Sequence, residues 1–220
     1  MDCRPTSDER SEDTIDMSTI PDSGQNADDA LQRLKAGNAR FVAGTARFAT
    51  VQKEILADLL KGQHPYATIL CCSDSRVPPE LIFDAGFGDL FIVRVAGNVI
   101  SPEVVGSLQY AGRHLQTPLF IVLGHTNCGA VAAAVDARVH GTRQHSRIQL
   151  FVDSILPGLS DLDSQLARET LLEQAVEANV RWSMRQILET PEGRERQTEG
   201  VVKLVGAICE IDTGLVRFLE

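Results

Sequence analysis

Four short runs of nearly continuous hydrophobic residues are the feature that most restricts how this chain can fold. They cover residues 66–72, 90–95, 119–123 and 201–211. A run of this length without polar alternation is typical of a strand covered on both faces, as in a parallel sheet. Helical patterns lie between the runs. Because strands and helices alternate, the sequence predicts an α/β fold.

Several segments between the runs carry helix signals. Asn26 is a capping residue that is followed by two acidic residues, and apolar residues then recur at helical spacing up to about residue 44. A second amphipathic stretch covers 51–60, and a third begins at Ser101, followed by a proline in the first turn. A longer helix is predicted from about residue 165 to 190, where Pro191 ends it.

The end of the chain has the pattern of an edge hairpin. After the fourth hydrophobic run, Asp-Thr-Gly at 212–214 forms a turn signal before the short run 215–219. This predicts an antiparallel strand at the edge of an open, otherwise parallel sheet flanked by helices.

The charge of the chain excludes two classes of partner. Its 220 residues include 21 Lys and Arg against 30 Asp and Glu, for a net charge of −9. A surface of that sign repels phosphate backbones and anionic lipid headgroups, so we expect no nucleic-acid partner. No apolar run approaches the ~18 residues that a membrane-spanning helix needs, so we expect no membrane insertion either.

Residues 1–26 differ in composition from the rest of the chain. They hold seven acidic and two basic residues and few apolar ones. Such a segment is predicted to be a flexible tail, and it lacks the basic start and apolar stretch of a signal peptide. We therefore expect one domain over 27–220 and a cytoplasmic location, in which the five cysteines are thiols or metal ligands and not disulfides.

Two of the predicted strands end in metal-ligating residues. Cys72 ends the first run, and His125 and Cys128 follow the third. Functional side chains of a parallel sheet gather beyond the carboxyl ends of its strands, so these three would converge if the strands are neighbours. Two thiolates and one imidazole suit Zn²⁺, and three protein ligands leave one position open, as in catalytic zinc sites. A single zinc ion is predicted.

The residues around these ligands favour a functional site over simple packing. A helix pattern begins at Gly129, which would place Cys128 at the positive end of a helix, where thiolate is favoured. Asp74 and Arg76 stand two and four positions after Cys72. In an extended turn their carboxylate and guanidinium could project to the same side.

Four segments then allow a comparison with a known family. They are Leu-Lys-Ala-Gly-Asn-Ala-Arg-Phe at 34–41, Cys-Ser-Asp-Ser-Arg-Val-Pro at 72–78, Gly-Asp-Leu-Phe-Ile-Val-Arg-Val-Ala-Gly-Asn at 88–98 and Gly-His-Thr-Asn-Cys-Gly-Ala at 124–130. Together they closely resemble the β-class carbonic anhydrases over about 27–219. The resemblance implies a core of about four parallel strands, and an obligate homodimer that often pairs again into a tetramer.

The resemblance also implies the chemistry. Cys72, His125 and Cys128 would hold one zinc ion per subunit, and a zinc-bound hydroxide would hydrate CO₂ reversibly to bicarbonate and a proton. Asp74 and Arg76 would form the family's catalytic dyad, in which Asp74 accepts the hydrogen bond of the hydroxide and Arg76 keeps Asp74 ionised and oriented. If Arg76 releases it, Asp74 could instead take the fourth zinc position and close the site.

One departure from the family concerns regulation by bicarbonate. Bicarbonate-regulated members resemble this chain at Arg94, but they have Trp and Tyr where this chain has Ile69 and Cys209. We therefore expect weak or absent bicarbonate inhibition. A charged residue that ends a buried strand needs a partner, and for Arg94 the candidates are Asp74 and Glu80.

Two other functions remain open at this point. The same zinc site could hydrolyse a sulfur analogue such as COS or CS₂, because these substrates are also small linear electrophiles. Alternatively, Asp74 could complete a permanent four-ligand site in a non-catalytic zinc protein. The presence of Arg76 argues against the second, since a structural site has no need of a competing cation.

Overall fold

A computed structural model describes residues 26–47, 57, 59–200 and 202–219 of the chain. Five strands form one sheet: β1 Ala67–Cys71, β2 Leu90–Arg94, β3 Leu119–His125, β4 Lys203–Cys209 and β5 Val216–Phe218. Their order across the sheet is β2-β1-β3-β4-β5. β1 to β4 are parallel, and β5 runs antiparallel to β4 at the edge. The predicted fold class is confirmed, including the antiparallel edge strand.

Helices connect and cover these strands. Those of the described residues are α1 Ala27–Val42, α2 Pro79–Ile82, α3 Pro102–Arg113, α4 Gly129–His140, α5 Ile148–Ile155, α6 Arg168–Glu189 and α7 Pro191–Glu199, with short 3₁₀ turns at Ala96–Asn98 and Leu156–Leu159. The predicted caps are in place. The Asn26 side chain accepts a hydrogen bond from the Asp29 N–H at 2.8 Å, and the Ser101 hydroxyl accepts one from the Val104 N–H at 3.4 Å.

The sheet is buried between two hydrophobic layers. One layer contains Leu70 and Val122 from the central strands and packs against α3, α4, α5 and α6. The other contains Ile69 and Ile121 and packs against α1 and α2. Every residue of β1 and β3 is buried, as their continuous apolar sequences predict. β2 is only half-buried, because it is the edge strand of the sheet.

The structure differs from the expectations in two helices. The long helix α6 begins at Arg168, slightly later than the predicted start at about 165, and ends before Pro191 as predicted, but Pro191 then begins α7. A proline can do this because its fixed φ and missing N–H suit the first helical turn. α5 was not predicted, since its eight residues are too short for a clear periodic pattern.

Two sequence predictions lie largely outside the described residues. They are the acidic tail, of which only Asn26 is described, and the helix over 51–60. Within the described ranges, no helix combines the length and the apolar character that crossing a bilayer requires.

The strand order positions the functional residues. The strand that follows β1, β2, lies on one side of the β1–β3 pair, and the strand that follows β3, β4, lies on the other, so the chain leaves the carboxyl ends of β1 and β3 in opposite directions. A crevice forms at such a point in an open α/β sheet, and ligands bind there.

Candidate metal centre

Three metal-ligating side chains meet at the carboxyl ends of β1 and β3. Cys72 directly follows β1, His125 is the last residue of β3, and Cys128 is the N-cap of α4. Their candidate ligand atoms all lie within 4.8 Å of one another, and all three residues are buried. The structure thus brings together the three residues that the sequence singled out.

Local backbone geometry explains why the three converge. Cys71 lies opposite Leu123 in the parallel register of β1 and β3, so Cys72 and His125 project from adjacent strand ends. Asn127 then takes a left-handed conformation with φ of 54°, which asparagine tolerates better than most residues. This turn brings Cys128 back over the end of β3 and starts α4.

The imidazole of His125 is oriented for metal binding. Its Nδ1 lies 2.9 Å from the Thr126 carbonyl oxygen and donates to it, which leaves the lone pair on Nε2. Nε2 is buried and has no hydrogen-bond partner among the described residues. A buried polar atom without a partner is costly, and a metal ion at this point would satisfy it.

The two sulfurs are spaced for a shared ion. Cys72 Sγ and Cys128 Sγ are 4.0 Å apart, and two sulfurs ~2.3 Å from a tetrahedral zinc ion stand ~3.8 Å from each other. The hydrogen bond with Cys128, supported by the one from the Gly97 N–H, lowers the pKa of Cys72 to about 4. The same contact with Cys72, and then burial, raises the pKa of Cys128. A cation would stabilise both thiolates together, with release of a proton.

Asp74 and Arg76 form a bidentate ion pair beside this cluster. Arg76 Nε donates to Asp74 Oδ1 at 2.9 Å, and an Arg76 terminal nitrogen donates to Oδ2 at 2.7 Å. These bonds hold the pKa of Asp74 well below its ordinary value. Asp74 Oδ2 lies 3.8 Å from His125 Nε2, so the carboxylate faces the centre of the cluster. Arg76 also donates to the Asn127 carbonyl oxygen at 3.3 Å, which connects the ion pair to the loop between His125 and Cys128.

Arg94 binds one of its two candidate partners, Asp74, but through the main-chain carbonyl and not the carboxylate. Its hydrogen bond to Cys72 was not predicted. Its Nε donates to the carbonyl oxygen of Cys72 at 3.0 Å, and a terminal nitrogen donates to that of Asp74 at 2.6 Å. These carbonyls are available because the chain leaves the sheet after β1. No sequence signal marks such groups, since only the path of the loop frees them.

The other two buried cysteines are not in the cluster. Burial raises the pKa of Cys71 to about 12 and that of Cys209 to about 11. Both thiols therefore stay protonated at neutral pH. The four cysteines of the described residues are free, as expected for thiols and metal ligands.

Chemically, the cluster is a candidate three-ligand zinc centre. Sulfur and imidazole donors suit zinc, and with three protein ligands one position is left for a small molecule. The Asp74 carboxylate stands 3.8 Å from His125 Nε2, while Arg76 engages both of its oxygens.

Comparisons with known proteins agree with this description. A family model described as carbonic anhydrase matches residues 67–216. The carbonic anhydrase 2 of Mycobacterium tuberculosis is 45% identical over 130 residues, which are 59% of this chain and 63% of that protein. The chain therefore spans less than two thirds of the length of this relative.

Solved structures share the fold. The β-carbonic anhydrase CcaA is 30% identical, with a TM-score of 0.69 over 86% of this chain and 87% of that one. One of two tetrameric β-carbonic anhydrases from Sordaria macrospora is 22% identical, with a TM-score of 0.68 over 84% and 93%. The family model covers more than half of the chain and includes all three cluster residues. By sequence match and by fold, this chain belongs to the β-class carbonic anhydrases.

Proposed function

We propose that this protein is a zinc-dependent carbonic anhydrase that converts CO₂ and water reversibly to bicarbonate and a proton. The observation that carries the proposal is the buried Nε2 of His125, which has no hydrogen-bond partner in the described part of the chain and faces two cysteine sulfurs and an ionised carboxylate. A zinc ion held by Cys72, His125 and Cys128 would supply a Lewis acid that lowers the pKa of water to ~7.

Asp74 is proposed to orient the nucleophile. Because its pKa is depressed, the carboxylate is ionised at neutral pH and can only accept hydrogen bonds. By accepting a hydrogen bond from the attacking oxygen, it directs a lone pair of that oxygen at the carbon of CO₂. Arg76 holds the carboxylate in place through two parallel hydrogen bonds, the strong geometry for this pair.

The contacts of Asp74 favour this function over a non-catalytic zinc protein. A permanent fourth ligand would turn a carboxylate oxygen away from Arg76 and onto the metal. In this structure both oxygens are engaged by Arg76. The closed form, in which Asp74 becomes the fourth ligand, would require at least one of these bonds to break.

Stopped-flow measurement of CO₂ hydration on zinc-quantified protein tests the proposal. We expect turnover that scales with zinc content, and no turnover after zinc removal. Full zinc occupancy without turnover from mildly acidic to alkaline pH would instead support the non-catalytic function. COS and CS₂ hydrolysis is assayed in parallel, and faster turnover of either would assign the sulfur-analogue function.

We expect bicarbonate to be a poor regulator of this enzyme. Ile69 and Cys209 are buried in one hydrophobic layer, and Arg94 directs two of its donors at carbonyl oxygens. Neither Ile69 nor Cys209 offers the donors that a bound anion needs. At fixed pH and ionic strength, initial rates with bicarbonate should follow those with chloride, apart from ordinary product inhibition. A steep, sigmoidal loss of activity would contradict this.

We further propose a homodimer, or a tetramer built from dimers. Two observations support it: a tetrameric protein shares the fold, and β2 is a half-buried edge strand that pairs only with β1 among the described strands. Sedimentation should therefore give a mass of two or four chains, and a concentration-independent monomer would contradict the proposal. A cytoplasmic location stays a prediction from the sequence.

A further inference from the structure

One main-chain group from a turn that carries none of the three ligands contacts the cluster of Cys72, His125 and Cys128. The Gly97 N–H donates to Cys72 Sγ at 3.3 Å and is buried. A hydrogen bond to a thiolate stabilises its negative charge and reduces the electron density that the sulfur gives to a metal. The position of this one peptide therefore affects the proposed zinc centre directly.

The turn that carries Gly97 has an unusual backbone. Gly97 and Asn98 both have positive φ, 68° and 45°. Glycine adopts this conformation freely, whereas a residue with a side chain does so at some cost. Two consecutive left-handed residues need support from their surroundings, so the contacts of the turn decide where the Gly97 N–H points.

Two polar side chains of α6 supply that support. The Asn179 side-chain amide donates to the Gly97 carbonyl oxygen at 2.9 Å, and the Ser183 hydroxyl donates to the Asn98 carbonyl oxygen at 2.9 Å. The Asn98 amide returns a hydrogen bond to the Ser183 hydroxyl at 3.4 Å. Asn98, Asn179 and Ser183 are all fully buried. Hydrogen bonds from the helix thus fix the turn at two successive carbonyls.

Packing restrains the same peptide from other sides. A Cβ atom on Gly97 would lie 2.8 Å from Ile155 Cδ1 and 3.0 Å from Ala130 Cβ. Ala130 is in the first turn of α4, two positions after the ligand Cys128. The turn is therefore held between α4, which begins after Cys128, and the thiol of Cys72.

Asn179 is a costly residue for a merely structural role. Its Oδ1 is buried and has no hydrogen-bond partner among the described residues. Filling this space with an apolar side chain would avoid the desolvation cost of that oxygen. An apolar side chain could not provide the hydrogen bond that the Asn179 amide donates to the Gly97 carbonyl oxygen.

We propose that Asn179 and Ser183 are positioning residues of the metal centre, which hold the Gly97 peptide so that its N–H faces Cys72 Sγ. The inference rests on the proposed zinc site and concerns neither a ligand nor a group that touches substrate. Without this support the turn relaxes and the N–H turns away, so Cys72 Sγ loses the hydrogen bond that holds it in place and gives more electron density to a bound metal. Metal affinity then falls, although all three ligands are intact.

Asn179→Leu tests the proposal in the full chain. Leucine has the same number and branching of side-chain heavy atoms as asparagine, although its methyl groups are larger, and it removes both the donor and the oxygen that has no partner among the described residues. We expect zinc affinity, measured by chelator competition, to fall by about 10- to 100-fold. With Co²⁺ in place of zinc, the sulfur-to-cobalt charge-transfer band should move to longer wavelength. Ser183→Ala is a smaller change that serves as a second test if Asn179→Leu does not fold. It should lower zinc affinity and move the cobalt band in the same directions, by smaller amounts.

Leu171→Ala is the matched control, because Leu171 is a buried residue of the same helix within the hydrophobic layer. It should lower the melting temperature and leave zinc affinity and the cobalt spectrum unchanged. If the Asn179 and Ser183 variants behave like this control, their role is only structural and the proposal is wrong. If the parent protein has no tight metal site, the proposed function fails as well, so the two failures are distinguishable.

Discussion

Replacing Asp74 by asparagine should leave zinc bound and remove most CO₂ hydration activity. Asparagine has the same shape, but its amide is neutral and one of its two terminal atoms is a donor. The side chain can then no longer present an anionic acceptor on both sides, toward Arg76 and toward the attacking oxygen. Since misplacing a reacting atom can cost about 10²-fold in rate, we expect the turnover number to fall by about 10²-fold or more.

The fold should tolerate this change. The Arg76 side chain that loses its partner is about half exposed (51%), so water can solvate it and the loss of stability is small. Zinc content, measured by elemental analysis, should stay equal to that of the parent protein. The three ligands are unaltered, and the carboxylate in this structure is bound by Arg76.

Asp136→Asn is the control for Asp74→Asn. Asp136 accepts two hydrogen bonds from Arg168, at 2.9 and 3.0 Å, in another partly exposed ion pair. Breaking it changes the net charge by the same amount but should leave the hydration rate unchanged. An Asp74→Asn protein as active as this control would remove the carboxylate from the mechanism and leave only the zinc ligands in it.

The sequence predicted most of the framework because the relevant rules are local or periodic. The continuous apolar runs were sufficient for β1 and β3, and the capping residues Asn26 and Ser101 marked two helix starts. Cys72 and His125 could be placed together because parallel neighbouring strands end at the same edge of a sheet. The strand order bears out that assumption.

Other features depend on tertiary contacts that no pattern in the chain encodes. The partners of Arg94 are carbonyl oxygens freed by the path of a loop. Asn179 and Ser183 lie on a helix that reads as an ordinary amphipathic segment, and their role depends on the turn at Gly97. Hydrogen bonds from side chain to backbone over such sequence separations have no periodicity, so residue order alone does not reveal them.

Replacing Cys128 by serine should abolish metal binding without unfolding the protein. A serine hydroxyl stays protonated at neutral pH and is a poor zinc ligand, so only Cys72 and His125 would remain. We expect the chelator-treated variant to contain no bound zinc and to show no measurable hydration activity. Reconstitution with added zinc should not restore the activity, in contrast to the parent protein.

Because α4 begins directly after Cys128, serine at this position should remove a ligand without destabilising the fold. Cys128 is the N-cap of α4, has extended backbone angles and makes no side-chain capping bond. Serine is a preferred N-cap residue, and a good cap stabilises a helix by about 0.5–2 kcal/mol. The metal-free variant should therefore melt no lower than the metal-free parent. Only the zinc-loaded parent should melt higher than both, because a ligand that binds the native state alone stabilises it.

Cys209→Ser separates loss of a ligand from loss of a buried thiol. Cys209 is also buried, but it lies outside the three-residue cluster, and its thiol faces the Glu210 carbonyl oxygen. This variant should keep its zinc and its activity, whatever it loses in melting temperature. If Cys128→Ser kept as much zinc as Cys209→Ser, the ion would not be held by two thiolates. The zinc ligands would then have to be reassigned to include His125 and the Asp74 carboxylate, which is the other anionic group beside the cluster.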